Sequence, residues 1–169
     1  LYQLVDEWSS CLGGRIAVSG AIRETLPFAS TFVGNFLLSP PDAPRGPLPR
    51  KIGFVGRLSH EKAPDRFCEI ARRHRGLAEF HVYGDGPMRS ALQAEFGDDA
   101  IFHGLVTDLA PVWASLGLLI MPSRAEGLPM AALEALSAGV PIVATAVGGL
   151  PALVETGRTG WLMDSESAS

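Results

Sequence analysis

Cysteine is scarce in this chain. Its two cysteines, Cys11 and Cys68, lie far apart and form no C-x-x-C pair. A small disulfide scaffold or a zinc-binding cysteine cluster needs more cysteines or closely spaced ones, so the sequence excludes both classes of protein. Two isolated cysteines predict a reducing, cytosolic compartment.

The chain also lacks long apolar runs and blocks of like charge. No run approaches the ~20 apolar residues that a membrane-spanning helix needs, and residues 1–8 lack the basic start of a signal peptide. The 18 aspartates and glutamates outnumber the 14 lysines and arginines, which gives a net charge of -4. A nucleic-acid-binding surface needs a basic face for the phosphates, so this charge balance predicts no nucleic-acid partner. The lack of a membrane-spanning run and of a signal peptide predicts a cytoplasmic protein.

Proline, by contrast, is concentrated in one segment. Residues 40–50 read P-P-D-A-P-R-G-P-L-P-R, which rules out helix and central strand and favours a stiff, extended linker. The 169 residues fit one domain with little room for a second, so this linker predicts the main boundary. Before it we predict strands at 15–19 and near 32–37, with a short helix at 21–26. The missing initiator methionine predicts a fragment or a processed chain.

After the linker, apolar strand patterns alternate with helix patterns. The predicted strands are 51–56, 79–84, 101–104, 117–122, 141–145 and 159–163, and the predicted helices are 65–74, 87–96, 108–115 and 129–138. Strands with so little polar alternation predict an α/β fold with a doubly wound, Rossmann-like parallel sheet and helices on both faces. Ligands of such sheets bind at the carboxyl ends of the strands.

The segment 121–134 carries the strongest functional pattern. Gly127 lets the backbone approach a ligand, and Pro129 is predicted at the first helical position, where its missing amide has no partner to lose. The positive end of the helix dipole favours an anion, so we predict a bound phosphate here. Glu126 and Glu134 would accept hydrogen bonds from sugar or ribose hydroxyls. On spacing alone the alternative is two solvated glutamates; the surrounding pattern favours a site.

Two cations follow the first strand after the linker. Arg57 and Lys62 lie in G-R-L-S-H-E-K, at the carboxyl end of the predicted strand. A planar arginine fork and a lysine point charge can neutralise a diphosphate without a metal. An ordinary solvated loop is the alternative, but the loop faces the predicted phosphate site, which favours binding.

Four segments in series resemble the retaining GT-B glycosyltransferases of the glycosyltransferase family 4 kind. They read F-V-G-R-L-S-H-E-K-A-P-D, V-Y-G-D-G-P-M-R, I-F-H-G-L-V-T-D, and M-P-S-R-A-E-G-L-P-M-A-A-L-E-A-L-S-A-G-V-P from residue 121. The match covers residues 51–163. It implies one half of a GT-B fold, with 51–169 as the nucleotide-sugar donor domain, 40–50 as the linker and 1–39 as a remnant of the acceptor domain.

The resemblance implies a role for each matching residue. Arg57 and Lys62 would bind the donor diphosphate, Glu126 would bind hydroxyls of the transferred sugar, and these three would form the catalytic set. The other implied donor contacts are Gly56, the backbone of Leu105 at the base, the backbones of Gly127 and Leu128 at the sugar or distal phosphate, Pro129 at the helix start, and Glu134 at the ribose.

The same resemblance implies transfer of a hexose from a nucleotide-diphosphate sugar with retention, and with no metal or other cofactor. The acceptor, a glycan or a lipid-linked molecule, would bind the half of the enzyme that lies outside this chain. Peripheral association of the full-length enzyme with the inner face of the membrane is compatible with this reading. We expect the chain alone to bind donor weakly and to transfer nothing.

Two other functions stay open from the sequence. One is a non-catalytic nucleotide-sugar-binding module, and the other is a GT-B relative such as an epimerase or a phosphorylase. The chain also departs from the family pattern, because Ala63 and Pro64 follow Lys62 where glycine is usual. A proline here stiffens the loop and is expected to shift Lys62.

Overall fold

The computed structural model describes residues 16–17, 31–32, 48–127 and 129–164. Its strands are β1 (Ile16–Ala17), β2 (Thr31–Phe32), β3 (Lys51–Val55), β4 (Glu79–Tyr83), β5 (Ile101–Gly104), β6 (Leu118–Met121), β7 (Ile142–Thr145) and β8 (Gly160–Met163). Its helices are α1 (Pro64–Arg73), α2 (Arg89–Phe96), α3 (Ala110–Ser115) and α4 (Met130–Ser137), with 3-10 turns at His60–Lys62 and Leu150–Ala152.

The described parts of residues 1–50 are short. Strands β1 and β2 pair in parallel, in two of the places where the sequence predicts strands. Residues 48–50 of the predicted linker have no helix or strand. The predicted helix at 21–26, the rest of the linker and the residues after 164 lie outside the described residues.

The main sheet has six parallel strands in the order β5-β4-β3-β6-β7-β8. Counted from β3, this is the order 3-2-1-4-5-6 of the doubly wound dinucleotide-binding fold. The predicted parallel, doubly wound sheet is therefore confirmed. The order reverses between β3 and β6, and a crevice for ligands forms at the carboxyl ends of such a strand pair.

Each face of this sheet carries its own hydrophobic core. On one face Phe67 of α1 and Phe96 of α2 pack with Phe54 and Phe80 from the strands. On the other face the cluster combines α3, α4 and the alternate strand residues, among them Leu119 and Ile142. The central strands β6 and β7 are covered on both faces and are apolar along almost their whole length, which explains why the sequence there shows no polar alternation.

The starts of the helices differ from the sequence prediction by one or two residues. Helix α1 begins at Pro64, one residue before its predicted start: Ala63 is the cap residue, and Pro64 takes the first position because its ring fits only the first turn. Ala63 has a φ of 54°, in the left-handed region that costs a non-glycine residue about 1–2 kcal/mol. Pro129 also precedes its helix, because its ψ of 85° is not helical. The predicted first helical position of Pro129 is therefore wrong by one residue.

Two histidines stack on neighbouring strands at the edge of the sheet. The ring centroids of His81 and His103 are 5.1 Å apart, and Tyr83 stacks on His103 at 4.3 Å. Nδ1 of His81 lies 2.9 Å from Nε2 of His103, so one nitrogen donates and the other accepts. Desolvation of the stacked ring, followed by the charges of His81 and Lys51, lowers the pKa of His103.

We expect this histidine to make the fold less stable as the pH falls below about 6.5. The lowered pKa makes His103 harder to protonate in the folded protein than in the unfolded chain, which takes up a proton below about that pH. The loss therefore begins near that pH and ends once the pH lies below the folded pKa. Urea unfolding at several pH values measures it, and the His103→Asn variant should show a shallower fall. Identical pH slopes for the two proteins would contradict this expectation.

Among the helices that the structure describes, none is both long and apolar enough to cross a membrane.

Candidate functional site

The reversal of strand order positions the two predicted binding segments side by side. The loop 56–63 follows β3 and leads to α1 on one face of the sheet, while the loop 122–129 follows β6 and leads to α4 on the other. Because β3 and β6 are hydrogen-bonded neighbours, both loops begin at the same edge of the sheet. The crevice between them is the candidate site.

The two loops meet through an ion pair. Nζ of Lys62 donates to Oε1 of Glu126 across 2.5 Å. The Glu126 side chain is 2% exposed and the Lys62 side chain 30% exposed, so the carboxylate is buried and the cation reaches solvent. Together with Gly56 and Pro129, these residues line a cavity of about 230 Å³, which we call the inner cavity.

A second hydrogen bond orients the same carboxylate. The buried Ser123 hydroxyl donates to Oε2 of Glu126 at 3.3 Å. The hydroxyl of Thr145, at the end of β7, donates in turn to the Ser123 carbonyl at 2.5 Å. Both carboxylate oxygens of Glu126 therefore have a donor, and the support comes from two adjacent strand ends. A buried charge is tolerated only with such partners.

A second, larger cavity lies beside the inner cavity. It has a volume of about 390 Å³ and is bordered by the ends of β3, β4 and β5, including Arg57, Tyr83 and Leu105. We call it the outer cavity. It shares Val55 and Gly56 with the inner one, so the two are neighbours. Arg57 is exposed, and its guanidinium forms no ion pair with any residue that the structure describes.

Glu134 lies in the second turn of α4, where Trp113 of α3 binds it. The indole nitrogen of Trp113 donates to Oε2 of Glu134 across 3.2 Å, and the tryptophan is 5% exposed. Glu134 borders neither the inner nor the outer cavity. Its partly exposed carboxylate keeps acceptor capacity beyond the one indole bond.

A glycine turn supports the loop that carries Glu126. Gly148 has a φ of 57°, and a Cβ placed on it would lie 1.6 Å from the carbonyl oxygen of Glu126. Gly149 also packs against this loop: a Cβ placed on it would lie 2.9 Å from the carbonyl oxygen of Gly127. The 148–149 turn therefore packs directly against the backbone of the site.

The structure brings most of the predicted site residues together. Gly56, Lys62, Glu126 and Pro129 line the inner cavity, and Gly56, Arg57 and Leu105 line the outer one. Gly127 is exposed at the start of α4, and Leu128 lies outside the described residues. The supporting side chains that sequence reasoning missed are Ser123, Thr145, Trp113 and Arg124, the last of which donates to Asp65 of α1. Among them, only the polar residues at strand ends, Ser123 and Thr145, carried a usable signal, because strand ends border the ligand in this fold.

Metal-ligating residues do not cluster in the part of the chain that the structure describes. No group of three or more histidine, cysteine, aspartate or glutamate side chains there has a geometry that could hold a metal ion.

Sequence comparison shows that this chain is similar to glycosyltransferases. The 2-deoxystreptamine glucosyltransferase of Streptomyces kanamyceticus is 41% identical over 110 residues, which cover 59% of this chain and 28% of that protein. The GDP-mannose-dependent alpha-mannosyltransferase of Corynebacterium glutamicum is 37% identical over 115 residues, which cover 67% of this chain and 27% of that protein. The chain thus spans about a quarter of the length of these curated relatives.

The fold comparison agrees. The crystal structure of Anabaena HepE in complex with UDP and glucose matches with a TM-score of 0.73 at 20% identity, covering 90% of this chain and 50% of HepE. This likeness supports the predicted Rossmann-like half of a GT-B fold. The family model described as Glycosyl transferases group 1 matches residues 49–169, which include both loops of the site. The chain therefore belongs to the Glycosyl transferases group 1 family.

Proposed function

We propose that this protein is the donor-binding part of a glycosyltransferase. In the full-length enzyme, a hexose passes from a nucleotide-diphosphate sugar to a glycan or lipid-linked acceptor with retention of anomeric configuration. The observation that carries this proposal is the pairing of Lys62 with the buried Glu126 at the point where the strand order reverses. The exposed Arg57 adds a second cation beside them.

The two neighbouring cavities support a divided binding mode. The sugar lies in the inner cavity, where Glu126 accepts hydrogen bonds from its hydroxyls, and the nucleoside lies in the outer cavity beside Leu105. The shared wall of Val55 and Gly56 leaves the diphosphate between them. That position is next to Arg57 and Lys62. Pro129 and Met130, at the start of α4, border the inner cavity from the other loop, and we propose that the backbone from Gly127 onward binds the distal phosphate or the sugar there.

The proposed chemistry follows from those charges. The bond between the anomeric carbon and the diphosphate oxygen breaks, and the acceptor hydroxyl oxygen bonds to the same carbon and releases its proton to the departing phosphate. Negative charge develops on the leaving group, and preorganised cations stabilise it. Because Arg57 and Lys62 supply two positive charges, we propose that transfer needs no metal.

The relatives support the class of donor and leave its details open. One is named a glucosyltransferase, another depends on GDP-mannose, and HepE was crystallised with UDP and glucose. All three descriptions mention a hexose, and two of them mention a nucleoside diphosphate. The base and the sugar differ among them. The acceptor, the cytoplasmic setting and an association with the inner face of the membrane stay predictions.

Isothermal titration with UDP, GDP and ADP, their glucose or mannose conjugates, and the bare nucleosides tests the proposal. One nucleoside diphosphate should bind more tightly than its nucleoside, with a dissociation constant near millimolar for the chain alone, about -4 kcal/mol. No preference for a diphosphate over its nucleoside would contradict donor binding. Sugar transfer by the 169 residues alone would contradict the need for an acceptor half. Donor binding without transfer by the full-length protein would favour a non-catalytic module.

Glu134 borders neither cavity, so its ribose role rests on the family resemblance. For that role we expect the Glu134→Gln variant to weaken nucleotide binding by about 1–3 kcal/mol, because a neutral amide oxygen accepts a hydrogen bond less strongly than a carboxylate. Comparison of each ribonucleotide with its 2′-deoxy form identifies the ribose as the partner, because the loss should be smaller for the deoxy form. Glu69→Gln, a change to an exposed glutamate on α1, is the matched control and should bind normally. Unchanged ribonucleotide affinity in Glu134→Gln would contradict the ribose role.

A further inference from the structure

Arg124 connects the two loops of the site more extensively than the Lys62–Glu126 pair does. Its Nη1 and Nη2 atoms donate to Oδ1 and Oδ2 of Asp65 at 2.8 and 2.5 Å. Nη1 also donates to the backbone carbonyl of His60 at 3.0 Å. A bidentate arginine–carboxylate pair has a fixed geometry, so the guanidinium holds both acceptors in one arrangement.

The backbone of the same segment adds two further links. The amides of Arg124 and Ala125 both donate to the carbonyl of Glu61, at 2.8 and 3.2 Å. The acceptors therefore belong to residues 60, 61 and 65, on both sides of Lys62 in the chain. Arg124 itself lies two residues before Glu126. These contacts therefore fix the backbone on both sides of Lys62 and the backbone just before Glu126.

The ion pair between Arg124 and Asp65 is partly shielded from solvent. The Asp65 and Arg124 side chains are 34% and 27% exposed, so solvent screens them only in part. The hydrogen bonds from Arg124 lower the pKa of Asp65, and the same bonds raise the pKa of Arg124. Asp65 also lies in the first turn of α1, where a negative charge is favoured by the helix dipole.

We propose that Arg124 and Asp65 are positioning residues for the phosphate-binding cation. They hold the 60–65 segment against the 124–126 segment, so that Lys62 is at the correct distance from the diphosphate before donor arrives. This inference rests on the proposed function of Lys62. Preorganised contacts increase affinity because less order must be imposed on binding. The contacts of Arg124 lie on both sides of the Lys62–Ala63–Pro64 segment, in which Ala63 is left-handed.

The test measures the diphosphate increment, defined as the affinity for UDP, GDP or ADP divided by the affinity for the matching nucleoside. In the full-length protein, Arg124→Ala should lower this increment about tenfold and leave the nucleoside affinity unchanged. Asp65→Asn keeps the size of the side chain and should lower it in the same direction. Arg75→Ala is the matched control, because it removes an arginine from the ion pair with Asp99 beyond the other end of α1. It should leave the increment unchanged.

A double-mutant cycle separates positioning from general stability. In a Lys62→Met background, Arg124→Ala should have no further effect on the diphosphate increment, because the residue that it positions is gone. A further tenfold loss in that background, or equal losses for diphosphate and nucleoside, would overturn the proposal. So would an unchanged increment in both Arg124→Ala and Asp65→Asn. If the unmodified protein itself shows no diphosphate increment, the proposed function fails; if it does and the variants keep it, only the positioning role fails.

Discussion

Replacing Lys62 with methionine is expected to weaken nucleoside diphosphate binding by about 1.5–3 kcal/mol, the range for a hydrogen bond to a charged group, or roughly 10- to 150-fold. It should also lower the stability of the protein itself. The Glu126 side chain is 2% exposed, and without Lys62 the one side-chain donor left to it among the described residues would be Ser123, at 3.3 Å. Removing one partner of a buried pair costs about 3–5 kcal/mol in proteins, and the partial exposure of Lys62 favours the lower end.

Those two effects respond differently to a second change. In the Lys62→Met/Glu126→Gln double variant the buried carboxylate is neutral, so stability should return to within about 1 kcal/mol of the unmodified protein. Diphosphate binding should not return, because the cation is still absent. Urea unfolding measures the first quantity and calorimetry the second. Recovery of binding in the double variant would show that Lys62 serves only to neutralise Glu126.

The single Glu126→Gln variant examines the ion pair from the other side. It frees Lys62 from its partner, so a nucleoside diphosphate without sugar should bind more tightly than to the unmodified protein. The additional affinity conferred by the sugar should fall, because the acceptor of the sugar hydroxyls is weaker. Lys51→Met is the control for loss of a lysine, since Lys51 lies 4.0 Å from Glu79 in an exposed pair. It should change stability by less than about 1 kcal/mol and leave binding unchanged.

Gly148→Ala is expected to have a second large effect, although Gly148 contacts no ligand in the proposed site. The added Cβ would lie 1.6 Å from the Glu126 carbonyl oxygen, so the 148–149 turn or the Glu126 backbone must move. We expect a loss of stability above about 3 kcal/mol, from strain and displaced packing together. Diphosphate affinity should fall at least about tenfold, because the displaced backbone carries Glu126 away from Lys62.

Gly157→Ala provides a matched control for that variant. Gly157 also has a positive φ, 81°, but a Cβ there would meet no atom within 4 Å. Its substitution therefore isolates the strain of the left-handed conformation, about 1–2 kcal/mol, without displacing the site. Stability and calorimetric measurements on both variants give the comparison. Equal losses for the two variants, with donor binding intact in both, would show that the contact of the turn with Glu126 is unimportant.

The arrangement of the sheet was largely predictable from residue patterns. Apolar strands such as 117–122 and 141–145 cannot be half-exposed, so they require helices on both faces and a parallel sheet. The exact helix starts were less predictable. Pro129 fits either the first helical position or the one before it, and only its ψ of 85° decides between them.

The loops of the site, at the carboxyl ends of the strands, were predictable from the sequence. The side chains that support these loops were not. Lys62 and Glu126 are 64 residues apart in sequence, yet the topology rule for parallel sheets places their loops together. Nothing in the local sequence indicates that Trp113 binds Glu134 or that Arg124 binds Asp65. Such pairs depend on how helices and loops from distant parts of the chain pack, and residue periodicity does not encode those distances.

Of the residues that the structure describes, only Val55 and Gly56 line both cavities. Otherwise each hollow has its own set of lining residues, so a substitution at Leu105 changes one of them without altering the other. Under the proposed binding mode, base preference and sugar preference are then separable: a substitution in the outer cavity should change the preferred nucleotide and leave the preferred hexose unchanged.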